Sequence, residues 1–162
     1  MATVLTPGQR SLLVEARRAT LATRAPDGRP RLVPVCFVLR DEADALGRAI
    51  VYTPLDDKPK RDADPKMLAR VRDLLSVPQA TLLVDRWDET WSALAWVRGY
   101  GAGDLLEPLG DEREEHAAAV VALRAKYPQY REHAIDERPI IRIALDRVAS
   151  WAADGSLPSR SP

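Results

Sequence analysis

The 162-residue chain holds one cysteine, two histidines, one phenylalanine and two methionines, and these scarcities remove whole classes of chemistry. A single thiol, Cys36, cannot form a disulfide within the chain, so stability has to come from a packed core, and a reducing, cytoplasmic location is expected. His116 and His133 lie far from Cys36 in the chain and cannot gather the ligands of a zinc centre, so no metal is expected. Neither histidine has a nucleophile beside it, and no GxSxG, P-loop, strand-linked GxGxxG or HExxH sequence occurs. An enzyme lacking these devices leaves its reaction to a bound cofactor.

Excess charge of one sign is also missing. Lys plus Arg and Asp plus Glu number 24 each, which argues against a nucleic-acid partner, and any attraction for anions has to be local. Long apolar runs are absent as well. Leu32 to Leu39 is too short to span a bilayer, and the first residues become charged too early for a signal peptide, so no membrane association is expected.

What is present fits one domain over residues 1–153, followed by DGSLPSRSP from Asp154 with the composition of a disordered tail. Thr6, Pro7 and Gln9 spell a capping box that opens a first helix. Ala19–Arg24 and Arg31–Leu39 flank the turn residues Pro26 to Gly28, which predicts a hairpin, with Pro34 marking an edge or bulge. The second of these strands is apolar on both faces, as for a strand between a barrel interior and a ligand or partner. Ala49–Thr53 reads as a third neighbour in the same meander. Asp64 and Pro65 open a second helix with Leu68, Val71, Leu74 and Leu75 as its stripe.

The second half predicts a strand over Gln79–Asp85 and another from Ala93, with a bend at Tyr100 to Gly103 before it reaches Leu106. Asp111–Lys126 is the clearest helix, acidic at its start and basic at its end, with His116, Val120, Leu123 and Tyr127 as its stripe. Ile140–Leu145 is a final strand, with Trp151 near the end of the barrel. About six strands arranged as meanders point to a mainly antiparallel β-barrel with flanking helices.

Within this frame the stretch VYTPLDDKPKR stands out, because a strand end delivers Lys58, Lys60 and Arg61 onto one short loop beside Tyr52 and Thr53. A solvated surface loop is the plain reading of such a triplet. Its fixed position after a strand favours a pocket for phosphate or another anion. Trp87, Trp91 and Trp96 crowd around one connection, where Trp87 and Trp91 suit ligand stacking or a subunit contact equally, and Trp96 suits packing.

The order ATLATRAPDGRPRLVPVCFVL, IVYTPLDDKPKR, a helix, then PQATLLVDRWDETWSALAWVRGYG resembles the pyridoxamine-phosphate-oxidase-like flavin and deazaflavin oxidoreductases. YT with KPKR downstream, VD.WDE.WS.L.WVR, and KYPQY with a late RV..W are similar to the subgroup dependent on coenzyme F420. The resemblance runs from Thr6 to Trp151 and implies an FMN-binding split β-barrel that works as a homodimer. It implies hydride transfer between F420, or alternatively FMN, and a small organic substrate at the dimer groove; a non-catalytic flavin-binding protein is the other alternative.

Carried over by position, the resemblance gives Lys58, Lys60 and Arg61 the phosphate, with Tyr52 and Thr53 beneath it. Pro34, Val35 and Val51 line the ring, and Trp87 and Trp91 bound the pocket from the second protomer. The chain departs from pyridoxamine phosphate oxidases by inserting DADPK after KPKR, and a longer loop with Lys66, Arg70 and Arg72 nearby suits an extended polyanionic tail. A proton donor, if one is needed, falls to Tyr52 or Tyr100.

Overall fold

The structure, a computed structural model, describes residues 5–55 and 64–157. It contains helices α1 (Pro7–Glu15), α2 (Ala69–Ser76) and α3 (Arg113–Lys126). The strands are β1 (Ala19–Arg24), β2 (Pro30–Val35), β3 (Val38–Leu39), β4 (Ala49–Pro54), β5 (Gln79–Arg86), β6 (Ala95–Leu106) and β7 (Ile140–Ala152). The seven strands form one antiparallel sheet in the order β2-β1-β5-β6-β7-β4-β3.

This order forces the sheet to curl. Laid flat, seven strands would put β2 and β3 roughly 29 Å apart, at about 4.8 Å per neighbour. Yet only Cys36 and Phe37 separate Val35 from Val38, and three residue steps reach at most about 11 Å. The two edges therefore meet at this link, and the open edge between β2 and β3 is a gap in the barrel wall. The sequence reads Arg31–Leu39 as one strand; it breaks because Tyr127 captures the backbone of Phe37. The Tyr127 hydroxyl accepts from Phe37 N at 3.1 Å and lies 2.9 Å from Phe37 O and 3.0 Å from Arg17 O, one of which takes its proton. With those peptide groups satisfied by a side chain, the ladder has no claim on them.

The same link splits the expected meander. β4 pairs antiparallel with Val38 and Leu39, the end of the expected second strand, but not with β2, and its other neighbour is β7. The helices close the molecule in two layers. The barrel interior is filled by the inward residues of all seven strands and by Leu12, Leu13, Val71 and Leu74 from α1 and α2. A second cluster forms where Ala119, Val120 and Leu123 of α3 cover Ile50, Tyr52, Leu106 and Ile140 on the outer surface of β4, β6 and β7.

Local chemistry explains the element ends. Thr6 and Gln9 form the reciprocal capping box at 3.3 and 2.9 Å. Asp64 caps a 3-10 turn over Pro65–Met67 rather than α2 itself, which starts at Ala69. Leu75 points to solvent, so the buried stripe of α2 is narrower than its spacing predicts. β7 runs to Ala152, and Trp151 sits half-exposed on its outer face instead of closing the barrel. Beyond β7 a turn at Asp154 and Gly155 returns Leu157 to the core, beside Gly8. The sequence bend at Gly101 is a register shift in which Asp146 of β7 is skipped.

Candidate functional site

Strand alternation decides what β4 offers. Val51 and Thr53 pair with Ile143 and Ile141 and point into the barrel, whereas Tyr52 pairs with Arg142 and points outward, under α3. Tyr52 and Thr53 therefore present their side chains to opposite faces and cannot both lie beneath one phosphate. Thr53 is 1% exposed, and its Oγ1 is buried with no hydrogen-bond partner among the described residues. Buried hydroxyls are normally paired, so the Thr53 Oγ1, near the end of the strand, is a donor with no described acceptor. An oxyanion would accept the hydroxyl proton. Lys58, Lys60 and Arg61 fall in residues 56–63, outside the described residues.

Tyr52 is committed elsewhere. Its hydroxyl donates to Glu115 Oε1 at 2.6 Å, and Glu115 Oε2 accepts from Arg142 Nη1 at 2.7 Å. Arg142 also binds Asp104 at 2.6 and 3.0 Å and Glu112 at 3.2 Å, while Arg40 lies 3.7 Å from Glu115. Burial, then the Glu115 carboxylate, hold the Tyr52 proton far above the usual phenol range. This argues against Tyr52 as a proton donor. The network instead ties α3 to β4, β6 and β7.

Above Tyr52 opens a groove of about 860 Å³, walled by Val38, Leu39, Arg40, Glu115, the alanine face of α3 and Lys126. Sequence reasoning passed over it. Its signal is the run of small residues at Ala118, Ala119, Ala122 and Ala125, which keeps the helix face shallow. Lys126 stands at one end with its Nζ 4.1 Å from the centre of the Phe37 ring. Burial, then the neighbouring Arg17 charge, lower its pKa to about 8.

The remaining expected residues do not converge on β4 within one chain. Pro34 is exposed on the outer face of edge strand β2, and Val35 is buried inside. Trp87 and Trp91 stand 69% and 71% exposed in the β5–β6 connection, and neither walls the groove above Tyr52. Tyr100 lies on the outer face of β6, its ring flanked by Arg98 at 5.3 Å and Arg147 at 3.9 Å. Lys66 is paired with Glu107 at 2.8 Å. Among the described residues no cluster of His, Cys, Asp and Glu could hold a metal.

No curated protein matches the chain. Solved structures do. An F420 reductase is 17% identical, covering 90% of this chain and 98% of its own, with a TM-score of 0.61. A FAD-binding protein from Mesorhizobium loti is 19% identical over 87% of each chain, with a TM-score of 0.59. The heme storage protein HutZ of Vibrio cholerae is 14% identical, covering 93% of this chain and 95% of its own, with a TM-score of 0.61. At these identities the likeness is one of fold. The pyridoxamine 5′-phosphate oxidase family profile matches residues 5–152, nearly the whole described chain, and the chain belongs to that family.

Proposed function

We propose that the chain is an F420-dependent oxidoreductase that binds the deazaflavin coenzyme at the gap in its barrel and acts on a small organic substrate. The observation that carries this reading is the buried, unpartnered Thr53 hydroxyl at the end of the strand that enters the KPKR loop. Family membership and the likeness to an F420 reductase support it. The coenzyme, when bound, supplies the hydride carrier. The chain's own part is to hold and orient it. Thr53 would donate to an oxyanion, Lys58, Lys60 and Arg61 would neutralise its charge, and Val35, Val51 and Pro34 would border the ring.

A second copy of the chain completes the groove in this reading. The outer face of β2, β1, β5, β6 and β7 carries Leu32 at 64% and Trp151 at 46% exposure, with Pro34, Leu83 and Trp96 on the same side. A sheet face with these exposed apolar residues among charged ones suits a homodimer contact that would bring Trp87 and Trp91 of one copy toward the gap of the other.

The test is a fluorescence titration of the purified protein with F420. Saturable binding that weakens roughly tenfold or more in Lys58→Ala/Lys60→Ala is expected, since each charge-assisted contact is worth about 1.5–3 kcal/mol. A flat titration overturns the reading. FMN is the second reading, favoured by the likeness to a FAD-binding protein, and shows itself as a yellow protein retaining its flavin through purification. Binding of heme in an absorbance titration, with none of F420 or FMN, would move the chain toward its heme-storing neighbour.

A further inference from the structure

Several arginines of this molecule sit in ion pairs: Arg142 meets three carboxylates, and Arg48, Arg124 and Arg10 meet Asp44, Asp136 and Asp41. Another group of arginines shares one concave space. The turn between β1 and β2 and the last turn of α2 enclose a cavity of about 420 Å³ walled by Arg24, Arg31 and Arg72 with Pro26, Asp73 and Ser76. Three arginines and one carboxylate, that of Asp73, line this cavity, a local excess of two positive charges in a chain whose formal net charge is zero.

That carboxylate is already spent. Asp73 is 3% exposed, and its Oδ2 accepts from Arg31 Nε at 2.7 Å and from Thr23 Oγ1 at 2.8 Å. Burial alone would raise its pKa, but the bonds from Arg31 and Thr23 outweigh burial and hold it below the usual carboxylate range. The pair therefore stays charged and fixes the Arg31 fork by its Nε. Both terminal nitrogens of Arg31 are left without a partner among the described residues. Arg24 and Arg72 are exposed and form no side-chain hydrogen bond or ion pair with a described residue. Of the cations flagged near the DADPK insertion, Lys66 is paired with Glu107; Arg72 faces this cavity.

A buried carboxylate that orients one guanidinium, and two more arginines that line the same concave space, suit an oxyanion. Planar guanidinium forks grip carboxylate and phosphate oxygens in pairs, and three of them favour a guest with more than one anionic group. Crowding like charges costs free energy that such a guest recovers. We propose that this cavity binds a compact polyanion carrying at least two phosphate or carboxylate groups. The site is separate from the barrel gap and does not rest on the cofactor reading.

Calorimetric titration of the full chain at low salt with pyrophosphate and with citrate tests this. Binding of either by the wild-type chain is expected, weakened roughly tenfold or more in Arg24→Gln/Arg72→Gln and unchanged in Lys58→Ala/Lys60→Ala. The tighter of the two probes identifies the preferred anionic group. Arg24 and Arg72 form no side-chain hydrogen bond or ion pair with a described residue, and Arg72 acts on Asp73 only through its charge, so the ligand-free melting temperature should move little; if it falls, each single variant is titrated instead. Absence of binding by both probes overturns the proposal. So does binding that survives loss of Arg24 and Arg72, or that disappears only with Lys58 and Lys60. Failure to bind F420 leaves this site intact, and its own failure leaves the barrel gap untouched.

Discussion

Thr53 and Lys126 each bury polarity or charge at a cost, and each makes a prediction with a definite sign. Thr53 buries a hydroxyl without a partner among the described residues, which costs roughly 1–3 kcal/mol relative to a satisfied group. Thr53→Val keeps the shape and removes that cost, so ligand-free stability in urea should hold or rise by up to about 1 kcal/mol, while cofactor affinity falls. A drop in stability would mean that the hydroxyl serves the fold. Lys126 is a base whose pKa is lowered from 10.5 to about 8. Below about pH 8 it is charged in both the folded and the unfolded chain, and folding bears the desolvation cost in full. Between about 8 and 10.5 the unfolded chain holds more protons than the folded one, so stability rises with pH. Lys126→Met should therefore stabilise the protein at pH 7, by on the order of 1 kcal/mol after allowance for solvent screening. That gain should fade across the same window in thermal melts; a gain independent of pH would refute the assignment.

At the scale of elements, the break between β2 and β3 is the decisive local event, and one residue from a distant helix end causes it. Tyr127 serves Phe37 N, Phe37 O and Arg17 O from the C-terminal end of α3. Tyr127→Phe leaves the Phe37 amide buried and unpaired, which should cost roughly 1–3 kcal/mol in urea unfolding. Because the link also borders the gap, the same substitution should loosen cofactor binding more than its distance suggests. The bulge between β6 and β7 is as constrained, since a Cβ at Gly101 would stand 2.0 Å from the carbonyl oxygen of Ala144. Gly101→Ala should destabilise by at least the roughly 1–3 kcal/mol typical of overpacking, read as a lowered melting temperature.

At the scale of the molecule, a seven-stranded sheet bent until its edges meet leaves one outer face covered by α3 and the other bare. The bare face should hold a second copy, and Leu32→Lys/Trp151→Lys should turn a dimer into a monomer in light scattering without unfolding it. A wild-type monomer would remove the two tryptophans from the cofactor groove. Much of this architecture was legible in the chain. The caps at Thr6 and Asp64, the hairpin turn at Pro26 to Gly28, the α3 stripe and the glycine bend all follow from dihedral limits and side-chain spacing, which act within a few residues. Sequence alone also determined the cation loop and the poverty of nucleophiles and metal ligands, because these are matters of composition and order. It did not show that β4 lies across the sheet from β2, that Tyr52 and Thr53 face opposite layers, or that three arginines line one cavity with a single carboxylate. Those depend on pairings between residues tens of positions apart, chosen by how the whole sheet buries its apolar faces and satisfies its backbone, and only the tertiary structure decided them.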